Sequence, residues 1–102
     1  MPRIAKRLAA KRDLTRHFVW FSEEVSTELA SRFLHAAEKS FQDLAEMPKM
    51  GPLKIHEGKF AGVRMWRVAG FESFLIFYRP LRDGVAIERV FHAKQDYKRV
   101  LK

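Results

Sequence analysis

Residues 74–97 read FLIFYRPLRDGVAIERVFHAKQDY, and this stretch decides the fold. It consists of an apolar segment, a turn at Asp83-Gly84, a second segment of alternating character and a basic end with His92 and Tyr97. A two-residue hairpin turn requires positive φ, which aspartate and glycine adopt at low cost. The stretch therefore predicts a β-hairpin that is followed by a short basic segment.

The length and composition of the chain limit what it can be. Its 102 residues are enough for one domain, residues 1–102, and too few for a second hydrophobic core. It has no cysteine, which excludes disulfides and thiolate metal sites. Its longest apolar run, residues 74–78, is far shorter than the roughly 20 residues of a membrane-spanning helix. We expect a cytoplasmic protein that does not enter a membrane.

The charge is distributed unevenly along the chain, which has a formal net charge of +8. Residues 1–16 hold six basic and one acidic side chain (+5), residues 17–46 hold two and six (−4), and residues 47–102 hold twelve and five (+7). The middle is therefore acidic and both flanks are basic. A charge distribution of this kind attracts a polyanion or an acidic protein partner.

Two segments have the apolar period of an amphipathic helix. The first begins at Leu8, and Arg12, Asp13 and Arg16 fall largely outside its apolar face. That face consists of Leu14, Phe18, Phe21 and Val25. The second helix begins at an N-cap, Ser26 or Thr27, and ends before Pro48; its apolar face consists of Leu29, Phe33, Ala37, Phe41 and Leu44. Because the connection is short, we expect an antiparallel helical hairpin.

Three strands are predicted after the helices, at residues 63–68, 74–81 and 85–91, with residues 69–73 as a turn. A weak first strand at residues 2–6 and a short final helix within residues 94–101 complete the chain. Consecutive strands with short links form antiparallel pairs. The sequence therefore predicts an α+β fold, in which the helical hairpin packs on one face of a three- to four-stranded antiparallel sheet.

An ordered set of motifs resembles a known family. The second helix has the spacing AxRFLxAxExxFxxL, and a P-x-x-G turn at Pro48 and Gly51 follows it. Residues 62–68 read G-x-R-x-W-R-V, and residues 83–92 read D-G-V-x-I-x-R-V-x-H, with Asp96 after them. Over residues 5–101 the chain resembles the RelE/ParE superfamily of toxins from type II toxin–antitoxin systems, and the ParE-like branch most closely.

The resemblance implies a toxin that inhibits growth and that a cognate antitoxin neutralises. The acidic or amphipathic tail of such an antitoxin covers apolar and basic grooves, in a heterotetramer or a larger assembly. ParE-like members are associated with non-enzymatic inhibition of DNA gyrase, which is the leading hypothesis here. The alternatives are a RelE-like, ribosome-dependent mRNA endonuclease and a non-catalytic RNA-binding domain. The candidate partner-binding residues are Leu14, Phe18, Phe21, Trp66, Tyr78 and Arg79.

A metal-independent ribonuclease needs cations for the phosphate and groups that transfer protons. Arginine suits the phosphate because its planar fork makes bidentate, charge-assisted hydrogen bonds. The candidates for this role are Arg64, Arg67 and Arg89. His92 and Tyr97 are the candidates for proton transfer. In this they resemble the C-terminal His or Tyr that RelE-like members use.

Each candidate also has a structural interpretation. The odd spacing of Arg64 and Arg67 directs their side chains to opposite faces of one strand. Arg89 is able to pair with a nearby acid, His92 to hydrogen-bond the following turn, and Tyr97 to pack in a short terminal helix.

The tryptophans and the remaining histidines are interpreted as structural. Trp20 and Trp66 are expected in the core rather than as stacking surfaces. His17, His35 and His56 show no ligand spacing with one another or with carboxylates, so no metal site and no cofactor is predicted.

Overall fold

The computed structural model describes residues 1–102 and contains three helices and four strands. The strands form one sheet in the order β1-β4-β3-β2, and the two long helices pack on one of its faces. The predicted α+β class is confirmed. The elements are β1 (Arg3–Lys6), α1 (Leu8–Glu24), α2 (Thr27–Glu46), β2 (Arg64–Val68), β3 (Phe71–Leu81), β4 (Gly84–His92) and α3 (Tyr97–Val100). None of the helices has the length and apolarity that a bilayer crossing requires.

The sheet is mixed, whereas a purely antiparallel sheet was predicted. Strands β2, β3 and β4 form the expected antiparallel meander, but β1 lies parallel to β4, with Arg3 opposite Gly84. A parallel neighbour requires a long crossover. Here the crossover consists of the helical hairpin, β2 and β3. The prediction of antiparallel pairing rested on short connections between consecutive strands, and only β2, β3 and β4 have such connections.

The hairpin turn is displaced by one residue from its predicted position. The turn residues are Arg82 and Asp83, and Gly84 already pairs with Leu81 as the first residue of β4. Asp83 does not have a positive φ. Gly84 is required for a different reason, because a Cβ atom there would lie 1.8 Å from the carbonyl oxygen of Arg3. The glycine therefore permits the close approach of β1.

Helix α2 begins and ends where its flanking residues predict. The Oγ of Ser26 accepts a hydrogen bond of 3.0 Å from the N–H of Leu29, which confirms Ser26 as the N-cap of α2. Helix α2 ends at Glu46, two residues before Pro48.

The buried face of α1 is rotated from the predicted one, because Val25 is exposed and His17 is buried.

The sheet is buried on both faces, which explains the unbroken apolar run in β3. The larger core lies between the helices and the sheet and includes Phe33, Phe41 and Ile76. A smaller core on the opposite face consists of Val63, Leu75, Phe77, Phe91 and Leu101. Strand β3 begins at Phe71 rather than at residue 74, so the predicted turn shortens to Ala69 and Gly70.

Candidate functional site

Side chains of α1 close the outer edge of β4 beyond the end of β1. Strand β1 pairs with β4 only as far as Ile87, so no strand lies beside Val90 on that side. The Oδ2 of Asp13 accepts a hydrogen bond of 2.9 Å from the N–H of Val90. The Nε2 of His17 donates to the carbonyl oxygen of Val90, also at 2.9 Å. Asp13 and His17 are one helical turn apart, so α1 supplies the acceptor and the donor that a neighbouring strand would supply.

Asp13 is fully buried, and Arg89 neutralises it. The Nε and Nη2 of Arg89 donate to the two carboxylate oxygens at 2.8 and 2.9 Å, a bidentate pair. These hydrogen bonds raise the pKa of Arg89 above its ordinary value, against the opposing effect of burial. The prediction that Asp13 lies outside the buried face is therefore wrong. The structural interpretation of Arg89 holds, with a partner that the sequence analysis did not consider.

His17 is a neutral hydrogen-bond donor within the core. Burial lowers its pKa below 6.5, although the bond to Val90 and the charge of Asp13 act in the opposite direction. Its ring makes edge contacts with Phe33 and Phe74, at centroid distances of 5.9 and 4.9 Å. The bond to the carbonyl of Val90 places the proton on Nε2.

A groove of about 860 Å³ opens at the end of the sheet, beside the C-terminal half of α1 and the β2–β3 turn. Trp20 lines this groove and is 54% exposed, so its predicted place in the core is wrong. The apolar lining consists of Trp20, Phe21, Leu29, Phe71 and Phe74, and the charged and imidazole side chains around it are Arg16, His17, His92, Lys94 and Glu72. Apolar walls with mainly basic charge suit an amphipathic, acidic segment of a partner protein.

His92 lies in this groove, but its hydrogen bonds do not suit a general base. The Nδ1 of its ring accepts a hydrogen bond of 3.1 Å from the backbone N–H of Lys94, and the backbone N–H of His92 donates to the Oε1 of Gln95 at 2.7 Å. Because Nδ1 is an acceptor, a neutral ring carries its proton on Nε2 and exposes only a donor there. The geometry matches the structural interpretation, in which His92 holds the turn after β4.

The remaining catalytic candidates do not converge on one position. Strand register places Arg64 and His92 on the helix-covered face and Arg67 on the opposite face, where Tyr97 packs against Phe77. Arg64 donates to the carbonyl of Gly51 at 2.8 Å and Arg67 to that of Glu72 at 2.7 Å. All three candidate arginines therefore make hydrogen bonds within their own chain.

Three of the predicted partner-binding residues, Leu14, Phe21 and Tyr78, are core residues. Tyr78 is 0% exposed, so it offers no surface to a partner in this conformation. Its hydroxyl donates to the carbonyl of Pro48 and accepts from the N–H of Gly51, and burial raises its pKa. The other three, Phe18, Trp66 and Arg79, are partly exposed.

The residues that the sequence analysis missed are Asp13 and His17 at the edge of β4, and Arg16, Trp20 and Lys94 at the groove. One signal for the first pair was available. Ala10, Leu14, His17 and Phe21 recur at spacings of four, three and four, and all are buried. This alternative apolar face includes a histidine and has Asp13 at its border, which marks a polar contact within the core.

Comparison with known proteins agrees with the fold. A solved structure described as the chromosomal ParDE toxin–antitoxin system from P. aeruginosa superimposes with a TM-score of 0.69, over 90% of this chain and 96% of that chain. The sequence identity is 17%, so this likeness concerns the fold alone. No curated protein matches the sequence. The model of the family described as the ParE toxin of the type II toxin–antitoxin system parDE matches residues 5–97.

The fold is thus one that a toxin–antitoxin system uses, and the family match extends over most of the sequence. The chain belongs to the ParE toxin family of type II toxin–antitoxin systems.

Proposed function

We propose that this ParE-family toxin inhibits DNA gyrase by binding to it rather than by a chemical reaction. The observation that carries the proposal is the state of the candidate catalytic groups. The guanidinium groups of Arg64, Arg67 and Arg89 bond to acceptors of their own chain, and the Nδ1 of His92 is occupied. Cleavage of RNA needs a free base and cations that face one phosphate.

The groove beside Trp20 is the proposed docking site of the cognate antitoxin. Its apolar walls offer Trp20 and Phe71 to bulky side chains, and Arg16 and Lys94 offer positive charge to carboxylates. An acidic or amphipathic antitoxin tail has both kinds of group. The proposed target places the action of the toxin in the cytoplasm, and a heterotetramer or a larger toxin–antitoxin assembly is the expected stored form.

The test combines purified components with growth measurements. The chain is expected to inhibit supercoiling by gyrase, and its induction is expected to stop growth and cause DNA breaks. Co-expression of the antitoxin should relieve both effects. Messages in a translating lysate should remain intact when the chain is added. Cleaved messages together with normal supercoiling would contradict the proposal.

One observation favours a ribosome-dependent mRNA endonuclease as the second candidate. The strand register places the Cβ atoms of Arg67 and Arg89 on the face of the sheet that carries the smaller core, and Tyr97 packs against the same face. If this face binds RNA, Arg67→Ala and Tyr97→Phe should abolish message cleavage in a folded protein. A chain that cleaves no message even at high concentration removes this candidate.

A further inference from the structure

The outer face of α1 carries a cluster of cations without an exposed carboxylate. Lys11 and Arg12 are exposed and form no ion pair. Arg16, one turn beyond Arg12, is 59% exposed and lies 3.5 Å from the carboxylate of the buried Asp13. Arg7 directly precedes the helix and pairs with Glu88 of β4 at 3.3 Å. The only acid between residues 7 and 16 is Asp13, which faces the core. A rise of about 1.5 Å per residue spreads these charges over roughly 13 Å.

The cations surround a shallow depression rather than a pocket for a side chain. Its lining is Leu8, Lys11, Arg12, Thr15 and Arg16, with Leu8 as the one apolar residue. Val19 is also exposed on this face, but three helical turns from Leu8, so the two form no continuous apolar patch. Protein interfaces depend on buried aromatic or aliphatic anchors, whereas contact with a phosphate backbone needs only well-placed cations and polar groups.

The nearest exposed aromatic side chain is Trp20, which lies one turn beyond Arg16 and lines the groove. Residues 7–16 include no aromatic side chain on which a base would stack. A group of exposed cations with no aromatic side chain among residues 7–16 fits the phosphate charge of a duplex.

We infer that Lys11, Arg12 and Arg16 bind the sugar–phosphate backbone of double-stranded DNA. This goes beyond inhibition of gyrase, although the two are compatible, since gyrase holds a DNA duplex while it acts. Binding through α1 is independent of base sequence, because phosphate contacts carry no sequence information. Arg16 also lines the groove beside Trp20, so a duplex on α1 and a protein partner in the groove would share this one residue.

The experiment measures the anisotropy of a short fluorescent duplex as the whole chain is added, without gyrase, over a range of salt concentrations. Three phosphate contacts predict a slope of about −2.7 in log K against log[salt]. Lys11→Gln/Arg12→Gln should weaken binding at least tenfold at low salt and make the slope shallower by about 1.8. The matched control, Lys98→Gln/Arg99→Gln, removes the same charge from exposed positions on α3 and should change affinity less than twofold.

Three results would overturn the inference. Equal weakening by both double variants means that net charge alone drives binding. Competition by polyglutamate as strong as that by unlabelled duplex identifies an acidic protein as the partner. Tighter binding of a single strand than of the duplex assigns the face to another ligand. The supercoiling assay is a separate measurement. A chain that binds the duplex but does not inhibit gyrase refutes only the proposed function. A chain that inhibits gyrase but does not bind the duplex refutes only this inference.

Discussion

Asp13 is the only buried carboxylate in the chain, and two groups of β4 depend on it. It accepts hydrogen bonds from the backbone of Val90 and from the guanidinium of Arg89. A buried ion pair contributes little in net terms, because desolvation offsets much of the attraction. Removal of one partner is costly, since it leaves the other charge buried and uncompensated.

Replacement of this carboxylate should therefore strongly destabilise the fold. Asp13→Ala is expected to lower the free energy of unfolding by about 3–5 kcal/mol, measured by urea denaturation. Asp43→Ala is the matched control, because it removes the same charge from an exposed ion pair with Lys39 and should cost less than about 1 kcal/mol. Similar losses in the two variants would show that Arg89 finds a new partner.

His17 should make the stability of the protein depend on pH. Burial lowers its pKa in the folded state, whereas in the unfolded chain it titrates near 6.5. The unfolded state therefore binds more protons at mildly acidic pH. The contribution of a neutral His17 to the free energy of unfolding is fully present above about pH 6.5 and decreases as the pH falls below that value. The charged groups that act on the ring are Asp13, which raises the pKa, and Arg16 and His92, which lower it.

The check is the free energy of unfolding between pH 7.5 and pH 5. His17→Gln keeps a donor for the carbonyl of Val90 but removes the titrating group, so its stability should decrease less towards pH 5 than that of the wild type. His35→Gln, at an exposed position of α2, should retain the wild-type dependence. An unchanged slope in His17→Gln would assign the pH dependence to other groups.

At the scale of elements, the pairing of β1 with β4 depends on the absence of a side chain at Gly84. A Cβ atom there would overlap the carbonyl oxygen of Arg3, which belongs to the backbone and has little freedom to move. Gly84→Ala should therefore displace β1 and destabilise the protein by about 1–3 kcal/mol or more. Amide hydrogen exchange should increase in residues 3–7.

Gly70→Ala provides the control for this substitution. Gly70 has a φ of +82° and no atom within 4 Å of an added Cβ, so alanine there costs only the backbone strain, about 1–2 kcal/mol. The exchange of β1 should be unaffected in this variant. If Gly84→Ala leaves β1 protected from exchange, the close approach is not what positions the strand.

The elements themselves were predictable because their apolar period reports burial on one side. Helix α2, the meander of β2 to β4 and the Ser26 cap follow from local patterns. The parallel pairing of β1 did not, and neither did the contact of Asp13 with Val90, which joins residues 77 positions apart. A local pattern contains no information about such a partner. The sequence therefore indicated Arg89 and His92 as candidate site residues. It did not indicate that Asp13 accepts hydrogen bonds from Arg89 or that the N–H of Lys94 donates to His92.

At the scale of the whole molecule, the cations of α1 lie next to the groove beside Trp20. The exposed cations of α1 form one surface, and the groove combines apolar walls with Arg16 and Lys94. A protein partner and a polyanion would thus contact adjacent surfaces of one small chain, with Arg16 common to both.

The groove can be tested with its own tryptophan. Trp20→Ala is expected to weaken antitoxin binding about 30-fold, in the range of an aromatic hot spot, without loss of folding. Val19→Ala removes exposed apolar surface from the neighbouring position, outside the groove, and should change affinity less than threefold. Binding is measured by titration calorimetry with the cognate antitoxin. Equal effects of the two variants would place the antitoxin elsewhere.

The dependence of the first elements on β4 has a consequence for the time at which the toxin matures during synthesis. Strand β1 pairs only with β4, and His17 and Asp13 of α1 bond to Val90, 73 and 77 positions later. While the ribosome is still making β4, the helical hairpin has no completed sheet on which to pack. Long-range contacts of this kind slow folding. The native toxin therefore forms only after β4 has left the ribosome, and an antitoxin already present in the cell has that interval in which to meet it.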